Sequence, residues 1–205
     1  MPRVIIWMWL ILLCAWIAQT AARAQLSSNT PTQPVSRISN SRASADRCSA
    51  DEKCRAVAAY VAREFGPNFQ VDTTAPMLTA DLDGDGVEDA IIVATAKEVL
   101  AGQVQYHYKV IDPSNAYFGY GDPKVTMQFT GRDGPQPMLL IVHNWRAATP
   151  KAKFVAINLE FRKVTIAPQL VKKKVLTTIV TEDAMGMTST LYWAGKQYKY
   201  EPGAE

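Results

Sequence analysis

The chain has 205 residues, 20% of them charged, and a formal net charge of +3. So small a charge gives no bulk electrostatic case for nucleic acid or an anionic membrane, since both are bound through clustered cationic surface. Only two histidines, His107 and His143, are available for acid–base chemistry.

The N-terminus reads as an export signal. Arg3 gives a positive start, residues 4–18 are apolar with Trp7, Trp9 and Trp16, and Ala22-Arg23-Ala24 supplies an A-x-A cleavage site before Gln25. A permanent anchor needs about 20 apolar residues, so a signal peptide over residues 1–24 is expected rather than a membrane span. Cys14 follows Leu13, whereas lipid attachment calls for a small residue there, so no lipid anchor is expected. Cleavage removes Arg3 and Arg23 and leaves 20 basic against 19 acidic residues. The expected location is periplasmic, cell-surface or secreted. Residues 25–45, rich in Ser, Thr, Asn, Pro and Arg and without periodicity, read as a disordered linker, and residues 46–202 as a single globular domain.

Export leaves two cysteines, Cys48 and Cys54, in an oxidising compartment, where they are expected to pair. On one continuous helix, positions six apart would face about 120° away from each other, so the helix must begin between them. Ser49-Ala50-Asp51-Glu52 has the form of a capping box, which predicts Ser49 as the N-cap. Cys54, Val57, Ala58, Val61 and Phe65 then make one apolar stripe, and Gly66-Pro67 stops the helix.

A strand over residues 76–80 leads into Asp81-Leu82-Asp83-Gly84-Asp85-Gly86-Val87-Glu88-Asp89, with carboxylates at every second position through a glycine-containing turn. Carboxylates this crowded repel one another unless a cation neutralises them. Calcium takes six to eight oxygen ligands, and the spacing sets Asp81, Asp83 and Asp85 around one ion, followed by the Val87 carbonyl and the Asp89 carboxylate. An EF-hand would carry Glu at position twelve and continue as a helix, but that position is Ile92, within the β-branched apolar run 89–96. Asp89 is therefore the closing ligand. The pattern D-x-D-x-D-G-x-x-D entering an apolar strand resembles the calcium loop of FG-GAP and VCBS-type repeats of exported proteins. The resemblance implies side-chain oxygens from Asp81, Asp83, Asp85 and Asp89, a backbone oxygen from Val87, and an outward-pointing Glu88. It covers one copy only, so neither a propeller nor an adhesion function follows.

Further strands are expected over residues 103–111, 124–129, 138–144, 154–161 and 163–166. Residues 171–180 are ambiguous between strand and helix and lean to strand, and a terminal hairpin over 189–200 turns at Ala194-Gly195. Residues 115–123 read as a loop bearing Tyr117, Phe118 and Tyr120, aromatics that either stack on a glycan or peptide or fold back over the core. Lys172-Lys173-Lys174 reads as a solvated strand edge or helix face. Tyr192, Trp193, Tyr198 and Tyr200 read as cross-strand packing. The fold class is α+β, mostly β, with the N-terminal amphipathic helix packed on a twisted, largely antiparallel sheet or partly open barrel and the calcium loop between strands.

No nucleophile elbow, zinc-protease helix or phosphate loop is present. The leading expectation is an exported calcium-binding binding or accessory domain whose partner is an envelope or extracellular protein or glycan. The alternatives are an enzyme or enzyme inhibitor acting on envelope polymers, and a structural envelope component. Convergence of His107, His143, Asp133 and Asn144 in one cleft would favour the enzyme. Exposure of the aromatic patch would favour the binder.

Overall fold

A strand with no polar face must be covered on both sides, and Ala90-Ile91-Ile92-Val93-Ala94 has none. The computed structural model describes residues 51–120 and 136–203, all within one compact unit, and there this run is buried on both faces at the middle of a six-stranded sheet. The export signal, the linker, Cys14, Cys48, Ser49, the expected strand over 124–129 and Asp133 lie outside the described residues. In chain order the elements are α1 (Glu52–Phe65), β1 (Phe69–Val71), β2 (Leu78–Ala80), β3 (Asp89–Ala96), β4 (Lys109–Ile111), α2 (Pro113–Phe118), β5 (Pro137–His143), β6 (Ala152–Ala156), β7 (Lys163–Val171), β8 (Lys174–Glu182), β9 (Thr188–Trp193) and β10 (Tyr198–Pro202).

The first sheet runs β1-β3-β5-β6-β4, with β2 on the same edge of β3 as β1; its pairings are antiparallel except β4 beside β6. The second sheet is an antiparallel meander, β10-β9-β8-β7. Period two sorts the first sheet's side chains between two cores. Ala90, Ile92, Ala94, Leu140, Val142 and Val155 pack with Val61 and Phe65 of α1. Ile91, Val93, Leu139, Ile141 and Phe154 pack with Ile179, Leu191 and Tyr198 of the second sheet. The molecule is thus mostly β, in antiparallel sheets that do not close into a barrel, and the two cores replace the single sheet expected from the sequence.

Helix α1 starts later than the capping box predicts. Its N-cap is Asp51, whose extended backbone (φ −102°, ψ 116°) lets the carboxylate accept the Lys53 N–H at 2.9 Å. An aspartate caps as well as a serine, and it also places a negative charge at the helix start. Cys54, two residues into the helix, is disulfide-bonded. Gly66, at φ +96°, ends α1, its N–H donating to Ala62 O at 3.1 Å.

Three other segments depart from the expected pattern. Residues 103–107 form turns rather than strand, because Tyr106 N–H closes onto Gly102 O at 2.9 Å and His107 takes φ +53°; pairing begins only at Lys109. His107 is therefore an exposed turn residue, not a strand histidine. Residues 113–118 are helical rather than loop, since Asp112 accepts the Asn115 N–H at 2.9 Å and Pro113 is preset for a first helical turn. Residues 163–182 form one long hairpin, β7–β8, turning at Lys172-Lys173.

Candidate metal centre

Residues 81–88 connect β2 to β3, whose last registered pair is Ala80 with Asp89. Gly84 and Gly86 take φ +76° and +84°, which side-chain-bearing residues rarely adopt, and so allow the chain to wrap its own carboxylates. Asp81 is the hub: Oδ1 accepts Gly84 N–H at 2.8 Å and Asp85 N–H at 3.2 Å, and Oδ2 accepts Gly86 N–H at 2.9 Å. Asp83 accepts Asp85 N–H at 3.2 Å, and Asp85 accepts Val87 N–H at 3.0 Å. These bonds hold Asp81, Asp83 and Asp85 so that one oxygen from each lies within 4.8 Å of the others.

Asp83 also belongs to a second cluster, with Asp89 and His143, on the same distance criterion. Asp89 is buried, and its two oxygens accept the Leu82 N–H and the Asn144 N–H, both at 2.9 Å. Burial raises its pKa, against the pull of the Asn144 and Leu82 N–H groups. His143 points Nδ1 at Asp83 Oδ2, 3.2 Å away, and Nε2 at the Tyr198 hydroxyl, 2.6 Å away. A carboxylate only accepts, so Nδ1 carries the proton and Nε2 accepts from the tyrosine O–H. Burial lowers the His143 pKa despite Asp89 and Asp83 nearby, and burial raises that of Tyr198 well above the usual value, so both groups are neutral.

Lys151, in the segment after β5, lays its ammonium between Asp83 Oδ2 at 2.8 Å and Asp85 Oδ2 at 2.6 Å. Hydrogen bonds to Asp83 and Asp85 raise the lysine pKa, and the Lys151 bond, then the Val87 N–H, lowers that of Asp85. The cluster therefore has a cation of its own. Glu88 turns outward to an exposed pair with Arg146 at 3.0 Å.

The oxygen donors of Asp81, Asp83 and Asp85 fit a hard divalent cation, which would replace the Lys151 ammonium as their counter-charge. In the Asp83, Asp89 and His143 cluster both imidazole nitrogens are already engaged, while each Asp89 oxygen accepts one N–H and keeps lone pairs free. The imidazole of His143 packs on Phe154, Trp193 and Tyr198, and His107 is not among its partners.

Sequence reasoning missed His143, Asn144, Lys151 and Tyr198 as partners of the loop. For His143 a signal existed, since it shares strand parity with Leu139 and Ile141 and so faces the same core. Lys151 had none: it is 66 to 68 residues from the carboxylates it bridges.

Tyr117, Phe118 and Tyr120, on α2 and just beyond it, are 53%, 55% and 69% exposed. Their rings follow one another at 5.1 and 6.3 Å, and Tyr117 meets Tyr200 at 5.9 Å. Tyr200 in turn lines a cleft of about 370 Å³ with Asn158, Glu160, Thr181, Asp183 and Ser189.

No protein-family model, curated protein or solved structure matches the chain. Among the described residues no helix is long and apolar enough to cross a membrane.

Proposed function

We propose that the protein is an exported domain that binds calcium through Asp81, Asp83 and Asp85, with Val87 and Asp89 completing the loop, and that serves as a binding or accessory module. The observation that carries this reading is the gathering of three carboxylates by backbone N–H groups around one point, where Lys151 supplies the only close cation among the described residues. The resemblance to FG-GAP and VCBS-type loops supports calcium in particular. The N-terminal signal supports export, and the Cys54 bridge, with Cys48 as its proposed partner, agrees with an oxidising compartment. The exposed aromatic ridge beside a polar cleft supports binding of an envelope or extracellular protein or glycan, the rings stacking and the cleft hydrogen-bonding. An enzyme is less well supported, because both nitrogens of His143 are engaged.

The test is thermal melting with calcium against chelator. Calcium at about 100 times its dissociation constant should stabilise by about 2.7 kcal/mol. Magnesium should substitute poorly, because it demands a tight octahedron and sheds water reluctantly. Asp83→Ala or Asp85→Ala should remove the shift, while Glu88→Ala should keep most of it. A melting temperature indifferent to calcium, or equal losses for Glu88→Ala and Asp83→Ala, would reduce the loop to an acidic turn.

A further inference from the structure

Leu170 and Val175 are direct cross-strand partners near the end of the β7–β8 hairpin, yet they are 74% and 72% exposed. Only Lys172 and Lys173 separate Val171 from its partner Lys174. One of the two-residue turns that follow the twist of their strands takes positive φ at both centres, and here the two lysines take +48° and +69°. Asn-Gly would fill that geometry with little strain, whereas lysine, which lacks the short polar side chain that lets Asn hydrogen-bond locally there, is disfavoured. The chain therefore keeps two strained lysines in the turn and adds a third directly after it. All three are exposed, and residues 163–180 contain no carboxylate to neutralise them. Registered pairing of β8 with β9 begins only at Ile179, so among the described residues the strands of the tip pair only with each other, with Val171 buried and Leu170 and Val175 facing out.

Simple solvation accounts for lysines on a surface but not for an exposed apolar pair beside them or for lysine at both strained turn positions. The combination matches the boundary of an anionic bilayer, where acyl carbons receive the apolar side chains and phosphate oxygens receive ammonium groups on long aliphatic stems. We infer that the β7–β8 tip docks the protein peripherally on anionic phospholipid. The near-zero charge of the chain as a whole confines the attraction to this patch, within a Debye length of the surface. Docking is shallow and reversible, since one apolar pair and three lysines fall far short of a spanning element. It does not depend on the calcium loop.

Vesicle binding by the full chain tests this, read as the difference between phosphatidylcholine vesicles with and without phosphatidylglycerol. The apolar segment at residues 4–18 and the arginines around it are common to all variants, so the change in that difference between wild type and the tip variants isolates the tip. Affinity for the anionic vesicles should be about tenfold higher or more. Lys172→Glu with Lys173→Glu should erase the preference, and Leu170→Ser with Val175→Ser should lower binding by a similar factor at unchanged charge. The decisive variant is Lys172→Asn with Lys173→Gly, which should raise the melting temperature by relieving the turn while losing the preference. Wild-type binding indifferent to headgroup, an Asn-Gly variant that binds as wild type, or serine variants with full affinity would each overturn the proposal. So would equally tight binding to polyglutamate, which would assign the tip to an acidic protein.

Discussion

The Nε2 of His143 lies 2.6 Å from the Tyr198 hydroxyl while its Nδ1 faces Asp83, so one imidazole links the acidic loop to the last strand of the other sheet. Tyr198→Phe keeps the ring and removes the donor, leaving a buried nitrogen unsatisfied. A loss of about 1–3 kcal/mol is expected in urea unfolding. Calcium affinity should fall as well, because Asp83 loses an oriented neighbour. Tyr192→Phe is the control: its hydroxyl donates to Glu201 at a partly exposed site and should cost less. Equal losses in the two variants would show that the His143 contact is incidental.

Lys151 competes with any divalent ion for Asp83 and Asp85. Lys151→Met should therefore lower the melting temperature in chelator, where the carboxylates lose their counter-charge, and enlarge the rise on adding calcium. Differential scanning calorimetry in both conditions reads the two effects separately. If the calcium-induced rise is unchanged, the ammonium and the ion do not share a site.

On α1, Glu64 is buried, which pushes its pKa up, but hydrogen bonds from Arg63 and Lys153 outweigh this and hold it below the ordinary value of 4.5. A depressed carboxylate stabilises fully above its unfolded pKa, and that stability is lost as pH falls through the folded value. Stability should therefore drop on acidification below about pH 4.5. Glu64→Gln should flatten this part of the profile. Lys153→Met should cost about 1–3 kcal/mol at neutral pH, since it strands a buried acceptor. An identical acid limb for Glu64→Gln and wild type would dismiss this group as a contributor.

Two glycines separate backbone from packing effects. Gly84 has positive φ and open space where a methyl group would stand, so Gly84→Ala should cost about 1–2 kcal/mol from conformation alone. At Gly66 the same methyl group would sit 2.5 Å from the Tyr106 ring, which must swing away, and about 1–3 kcal/mol more is expected. Denaturant midpoints of the two alanine variants give the comparison, and a smaller loss at Gly66 would contradict it.

Local chemistry was legible and distant chemistry was not. The apolar run entering β3 from Asp89 is unambiguous because β-branched residues fill it, and the alternating carboxylates define their own loop. The Asp112-Pro113 start of α2 was also written in the chain, but the aromatics that follow drew the reading towards a loop. Asp51 and Ser49 are both competent caps, and propensity could not choose between them. The placement of Lys151 and Tyr198 depends on strand order, which no local pattern encodes. The second sheet went unseen as a separate layer because its strands alternate like those of any half-exposed sheet.

The parallel pairing of Lys109–Ile111 with Ala152–Ala156 imposes an order of events on a chain made from its N-terminus. Strand β4 leaves the ribosome well before this partner strand exists, and β3 likewise waits for Pro137–His143. In that interval their backbone edges are open to any other strand, including the same segment of a neighbouring copy. Cells making large amounts of this protein should need a holding chaperone most when synthesis pauses between Ile111 and Ala156.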